Sequence, residues 1–283
     1  MTSDHPTWPD APEPLPVPVV DNHCHLDHRV KGGALIEPAE AIARAAAVGV
    51  TRIVQVGTDV ESSRWAVETA REHPSVVAAV ALHPNDAPRL GDGYEAAFAQ
   101  IAELAADPQV RAVGETGLDH FRTGPDGRSA QEQSFRDHIR LAKELDRTLV
   151  IHDRDAHADV LRVLDDEGIP ERTVMHCFSG DGDFAQACVE RGAYLSFAGT
   201  VTFKNAENVR DGLRAARRDR ILVETDAPFL TPEPFRGRPN ASFLIPLTVR
   251  FMAGIVGDSV EELCRDIAKN TEQAFGGPWP EWV

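Results

Sequence analysis

Residues 19–27 read Val-Val-Asp-Asn-His-Cys-His-Leu-Asp, an apolar run that ends in two imidazoles separated by one residue. In an extended strand, residues i and i+2 point to the same side, so His23 and His25 aim at one place. Neutral imidazole is the commonest metal-donating side chain, although a lone His-x-His is as readily an ordinary polar strand end. Four later apolar runs end the same way. Val-Arg-Ala-Val-Gly runs into Glu115, Thr-Leu-Val-Ile into His152, Thr-Val-Met into His176, and Ile-Leu-Val-Glu-Thr into Asp226. Each run is short, rich in β-branched residues and followed by a helix-like segment, which is the pattern of a buried parallel strand. Strands of this kind alternating with helices close into a (β/α)8 barrel, whose C-terminal strand ends share the face that carries chemistry. The expected fold class is therefore α/β, a TIM-type barrel. Four His and two carboxylates on one rim make a hard-to-borderline metal site, suited to two ions.

The chain has 283 residues, within the range of a single barrel of this type. No apolar run approaches the ~18 residues that span a bilayer, so no membrane association is expected. The first residues hold acids and prolines, without the basic and apolar regions of an export signal, so the cytoplasm is expected. The cysteines Cys24, Cys177, Cys188 and Cys264 show no CxxC pairing and read as small buried hydrophobes that face away from neighbouring ligands. The formal net charge of -16 excludes a protein that coats long stretches of phosphate backbone with a basic face. It leaves room for a nuclease whose contacts are confined to a cleft, with bound cations supplying positive charge.

Along the chain, residues 1–18 carry Pro6, Pro9, Pro12, Pro14, Pro16 and Pro18, which denies a helix and suits a loosely held, extended arm appended to one hydrolase domain over 19–283. An alanine-rich helical segment covers 37–48. A strand over 51–57 is followed by a helix over 62–72. A strand over 76–82 ends at His83-Pro84, which places His83 on the rim as a substrate contact, a support for a ligand, or a structural imidazole. After a helix over 94–106, the strand over 110–113 enters Gly114-Glu115-Thr116-Gly117-Leu118-Asp119, where the glycines allow close backbone approach around Glu115. Arg122 lies in the polar loop beyond. A helix starting at Ser129 shows Phe135, Ile139 and Ala142 at helical spacing. His138 and His157 fall on helices and are assigned to the surface. The strand over 193–197 leads to a rim loop ending in Lys204. Glu224 and Asp226 share strand parity, and Asp226, nearer the rim, is the better ligand candidate. The proline-stiffened segment 231–239 holds Arg236 and Arg238, a candidate anion clamp.

These pieces together resemble the TatD family of metal-dependent hydrolases. The matching stretches are Asp21 to Asp27, Gly114 to Asp119, Val150-Ile151-His152, His176-Cys177-Phe178-Ser179-Gly180, Val201 to Asn205, Glu224 to Leu230, and Arg236-Gly237. The resemblance implies an amidohydrolase-type barrel. It implies one metal on His23, His25, Glu115 and Asp226, and a second on Glu115, His152 and His176, with Glu115 as the bridge. It further implies divalent-metal-dependent deoxyribonuclease action, often exonucleolytic, while some relatives remove D-amino acids from transfer RNA. Two departures bear on substrate preference. The family pattern after the barrel resembles Arg-Gly-x-x-Asn-Glu-Pro-x-x-Val-Pro-His, but here Asn240 is followed by Ala241-Ser242-Phe243-Leu244-Ile245-Pro246-Leu247. The usual tyrosine after Gly-Leu-Asp is His120.

The resulting expectation is a dinuclear hydrolase, with Zn, Mn or Mg as its divalent ions, that cleaves phosphodiester bonds in DNA. The alternative is an ester or amide hydrolase such as a D-aminoacyl-tRNA deacylase, which the six ligands alone do not separate from it. Asp226 is the candidate proton acceptor and Glu115 the bridging carboxylate. His83, Arg122, Lys204, Arg236 and Arg238 are candidate substrate contacts. A barrel mouth admits a free strand end more readily than an intact duplex, so nucleic-acid ends are the expected partner.

Overall fold

Eight strands, most of them β-branched runs, pair in chain order, every neighbour parallel, as β1 (Val19–Cys24), β2 (Val50–Val56), β3 (Val76–Val80), β4 (Val110–Asp119), β5 (Thr148–Arg154), β6 (Thr173–Met175), β7 (Tyr194–Phe197) and β8 (Ile221–Val223). The structure, a computed structural model, describes residues 8–28 and 36–277. Around the strands lie α1 (Pro38–Ala46), α2 (Val60–Glu72), the short α3 (Ala87–Leu90), α4 (Tyr94–Ala105), α5 (Pro125–Glu144), α6 (His157–Glu167), α7 (Gly182–Glu190), α8 (Glu207–Ala215), α9 (Ile245–Val256) and α10 (Val260–Ala274). The starts of several helices are set by their own residues. Asp59 and Ser62 exchange side-chain and backbone hydrogen bonds at the head of α2, and the Ser259 hydroxyl accepts from the Glu262 N–H at the head of α10. Among the described residues no single helix is long and apolar enough to cross a membrane.

Strand alternation sorts the apolar residues into two layers. Val20, Val54, Val77, Ala112, Val150, Val174, Tyr194 and Leu222 pack as one cluster, a residue from each strand, with Ala274 and Phe275 joining them. The Thr148 hydroxyl donates to the Ala274 carbonyl at 2.6 Å, which fixes that plug at the N-terminal ends of the strands. The interior is therefore packed below and leaves the C-terminal rim for polar groups. The larger cluster, which includes Ile53, Val76, Val113, Leu149 and Ile151, lies between strands and helices.

Three features depart from the sequence expectation. First, β4 continues to Asp119 instead of stopping at Val113, and pairs Gly117 with His152, Leu118 with Asp153 and Asp119 with Arg154. The glycines allow the close backbone approach expected of them, but from inside the strand, where β5 presses on them. A methyl group at Gly114 would come 2.5 Å from the Val150 Cβ, and one at Gly117 would strike the His152 carbonyl. Second, His138 is fully buried on the inner side of α5. Its Nε2 accepts from the Leu82 N–H at 3.1 Å, its Nδ1 lies 2.7 Å from the Ser134 carbonyl, and burial lowers its pKa to about 4. Third, the segment from residue 8 to 18 lies against the barrel. Leu15 is buried and donates to the Val48 carbonyl at 3.0 Å, and Pro14 accepts from Arg250 at 3.0 Å. The Arg44 guanidinium sits 4.0 Å over the Phe243 ring, beside Trp8. Pro6 lies outside the described residues.

Candidate metal centre

The centre is built around Glu115. Simple alternation from Ala112 would turn Glu115 outward, but the β4–β5 register shifts between Val113 and Thr116, and the carboxylate faces inward, almost wholly buried. A comparable shift between Asp21 and Cys24 accompanies the inward turn of His23 and His25, with Cys24 in the outer apolar layer. Glu115 Oε1 lies 3.6 Å from His25 Nε2 and 3.9 Å from both His23 Nε2 and His83 Nε2. Its Oε2 lies 3.3 Å from His152 Nδ1 and 3.2 Å from His176 Nε2. Asp226 Oδ1 stands 3.5 Å from His25 Nε2 and 3.9 Å from His23 Nε2. The five other candidate ligands, and His83 with them, thus gather around Glu115.

A second set of groups holds the imidazoles in orientation. His25 Nδ1 lies 2.9 Å from the Val56 carbonyl, which marks it as the protonated nitrogen and leaves Nε2 as the donor. His176 Nδ1 lies 2.8 Å from Glu224 Oε1. His152 Nε2 lies 3.3 Å from Asp119 Oδ2, and Asp119 is itself held by Asn85 Nδ2 at 2.9 Å and the Arg122 N–H at 2.8 Å. Glu224 and Asp119 were passed over as functional residues in the sequence. Both are carboxylates at strand ends in the same motifs as the ligands, which was the available signal.

The residues present fit divalent cations. Both ring nitrogens of His23 are buried without a hydrogen-bond partner, a costly arrangement unless a positive centre completes it. Burial, followed by the His176 ring stacked on it at 3.6 Å, holds His23 well below the ordinary histidine range, in the neutral form that donates to metals. Burial also pulls His25 down, but Asp226 and Glu115 outweigh it and hold its pKa at about 9. Burial opposes ionisation of Glu115, yet His83 and His176 keep its pKa well below the usual carboxylate range. His83 itself is lowered to about 4 by burial. Triads of donor atoms, among them His23–His25–Glu115, His23–His176–Asp226 and His83–Glu115–His152, each lie within 4.8 Å of one another. Imidazole nitrogens with carboxylate oxygens in such clusters are ligands for borderline divalent ions.

The centre opens into a cavity of about 630 Å³ that also presents Arg89, Arg122, Arg154 and Phe229. Arg122 is where the sequence reading placed it. Arg154 was missed because β5 was expected to end at Ile151. Lys204, Arg236 and Arg238 are not among the lining residues. The Arg236 guanidinium lies 4.0 Å over the Phe203 ring, and the Thr231 hydroxyl donates to the Arg238 carbonyl at 2.6 Å, folding the segment on itself. Cys177 lines the cavity instead of facing away, because its backbone takes a left-handed turn (φ 45°) and its N–H donates to Glu224 Oε1 at 2.9 Å.

A family model described as TatD related DNase matches residues 20–276. The chain belongs to the TatD family. It is 42% identical over 266 residues to the uncharacterized metal-dependent hydrolase TatD of Mycobacterium tuberculosis, covering 92% of this chain and 99% of that protein. It is 34% identical over 245 residues to a protein of Citrobacter rodentium named 3'-5' ssDNA/RNA exonuclease TatD, covering 84% of this chain and 91% of that one. The crystal structure of YjjV, a TatD homologue from Escherichia coli K12, superposes with a TM-score of 0.82 at 27% identity, over 92% of this chain and 98% of that one. The TatD barrel described above is thus that of a metal-dependent hydrolase.

Proposed function

We propose that this TatD-family hydrolase holds two divalent ions and cleaves phosphodiester bonds of DNA from single-stranded or frayed ends. The observation that carries the reading is the division of labour at Glu115. Its Oε1 faces His23, His25 and His83, whereas its Oε2 faces His152 and His176. The two oxygens thus face different sets of imidazoles, so that His23 and His25 with Asp226 would hold one ion, His152 and His176 the other, and Glu115 would serve both. When bound, divalent ions lower the pKa of water from 15.7 to about 7 and neutralise charge on phosphoryl oxygens.

The chain's own groups do the rest. Asp226, whose side chain is partly open to the cavity, accepts the proton of the attacking water. Glu224 and Asp119 fix the rings of His176 and His152. Arg122 and Arg154, on the cavity wall, neutralise flanking phosphates. Lys204, Arg236 and Arg238 would meet only a strand that extends past the cavity. The formal charge of -16 favours capture of an end by a few cations over tracking of a groove by many. The exonuclease name of the Citrobacter relative supports the same reading.

The test uses metal-reconstituted protein on end-labelled single strands, covalently closed duplex circles and aminoacyl-tRNA, each with a chelated control. Stepwise shortening of the single strand, abolished by chelation, is expected. Equal cleavage of closed circles refutes entry by ends. Hydrolysis confined to the aminoacyl ester refutes the nuclease reading in favour of a deacylase.

A further inference from the structure

Three large apolar side chains are exposed among the described residues, namely Phe121 at 62%, Phe229 at 49% and Phe251 at 36%. Scattered exposed apolar residues need no explanation, and Phe251, on α9, stands alone. Phe229 belongs to the mouth of the metal centre, and Phe121 adjoins it through Arg154. Phe229 lines its cavity, with its ring 6.3 Å from the ring of His25 and 6.0 Å from that of His28. Its backbone is pinned at both ends, since its N–H donates to the Asp226 carbonyl at 2.9 Å and its carbonyl accepts from Asn240 Nδ2 at 2.5 Å. The exposure is therefore built in.

Phe121 follows β4 and carries the Arg154 guanidinium 4.0 Å over its ring, and Arg154 lines the same cavity. In a ring of eight strands, β4 and β8 are four places apart, so the two phenylalanines rise from opposite walls. Hydrolysis of a phosphodiester gives neither ring anything to do, because phosphate and sugar are polar. A flat apolar ring next to a phosphate-binding centre does have a natural occupant in the face of a nucleobase.

We propose that Phe229 and the Phe121–Arg154 pair are base-stacking platforms on the two sides of the scissile phosphate. This rests on the nuclease reading and deepens it. Stacking on an aromatic ring is tolerant of sequence, since every base has a π-face, and an arginine laid on one ring adds a cationic face of its own. Bases inside a duplex already have both faces covered, so such platforms select unpaired nucleotides. They also select against a strand that offers phosphates without bases.

The test compares single-stranded oligodeoxynucleotides whose terminal nucleotides are either normal or abasic. The proteins are metal-loaded wild type, Phe229→Ala, Phe121→Ala and, as a control, Phe251→Ala. These side chains are exposed, so ion content and thermal midpoint should match wild type. Wild type is expected to lose about tenfold or more in kcat/KM on abasic ends, the scale of one lost base–aromatic stack. Phe229→Ala should show that loss on normal ends, mainly as a raised KM, and little more on abasic ones. A terminal 2-aminopurine should be quenched on binding to wild type and much less on binding to Phe229→Ala. Equal use of normal and abasic ends by wild type, or full discrimination kept by both mouth variants, overturns the platforms alone. No cleavage of either oligonucleotide by metal-loaded wild type overturns the nuclease reading, and the platforms fall with it.

Discussion

Glu224→Gln separates the support of a ligand from the ligand itself. The side chain is wholly buried, with one oxygen 2.8 Å from His176 Nδ1 and 2.9 Å from the Cys177 N–H. Glutamine preserves the volume and can still accept from Cys177, so the fold should persist. What it removes is the negative charge behind the imidazole. A hydrogen bond to a charged group contributes ~1.5–3 kcal/mol and a neutral one ~0.5–1.5 kcal/mol, a difference of about 1–2 kcal/mol. At 1.4 kcal/mol per factor of ten, that is roughly 5- to 30-fold weaker binding of the ion that His176 serves. Measured losses at such supporting partners, about 10- to 100-fold, overlap this range. Competition of the protein with a chromophoric chelator, titrated with Zn or Mn, would resolve the two affinities. The ion on the His23–His25–Asp226 side should keep its affinity within about twofold, an expectation drawn from the separate imidazole pairs around Glu115. Unchanged affinity at both positions, or equal loss at both, would refute the idea that Glu224 acts through His176.

Glu115→Ala should empty both positions, whereas His152→Ala should mainly empty one, because Glu115 faces both imidazole pairs and His152 meets only its Oε2. Elemental analysis counts the ions, and two ions retained per chain in the Glu115 variant would contradict the bridge. His138 makes the fold acid-sensitive. Its pKa falls from 6.5 in the unfolded chain to about 4 in the buried site, so the unfolded state binds the extra proton between those values. The contribution is whole above pH 6.5 and is lost as pH falls toward 4, by up to roughly 3 kcal/mol. Urea unfolding of wild type and His138→Gln across that range should show a shallower pH slope for the variant, and parallel slopes would disprove the assignment.

The barrel and the gathering of six candidate ligands at the strand ends were legible in the sequence because both depend on short periods. A β-branched run marks a strand, and its last inward residue marks the rim. Less legible was whatever depended on a neighbouring strand. Gly114 and Gly117 announced a close backbone approach, but not that Val150 and His152 of β5 make it, nor that β4 runs on through both glycines. His138 falls on the i, i+3, i+4, i+7 stripe of Phe135, Ile139 and Ala142, and only its polar side chain suggested the surface; the partner that lets it lie inside, the Leu82 N–H, comes from beyond β3. Glu224 shares the parity of Asp226, but parity does not say which nitrogen of which histidine a carboxylate will meet. Phe229 reads as an ordinary motif residue, and its role at the mouth follows from a backbone pinned by Asp226 and Asn240.

The ring of strands has a seam. Seven junctions are paired strands, some with a register shift, while β8 and β1 are joined by the isolated Cys24–Ala227 bridge and by a handful of bonds such as Asn22 to the Val223 carbonyl and the Thr225 N–H to Asp21. His23 and His25 stand on one side of that seam and Asp226 on the other, about 200 residues away along the chain. An ion held between them would be a clasp as well as a reagent, since the free energy of its binding adds to that of keeping the circle shut. Closing so long a loop is entropically expensive, and the expense grows only slowly with length, so one well-placed clasp can secure the whole circumference. Starved of metal, the chain should begin to open at β1 and β8, where amide hydrogen exchange and proteolysis would find it first.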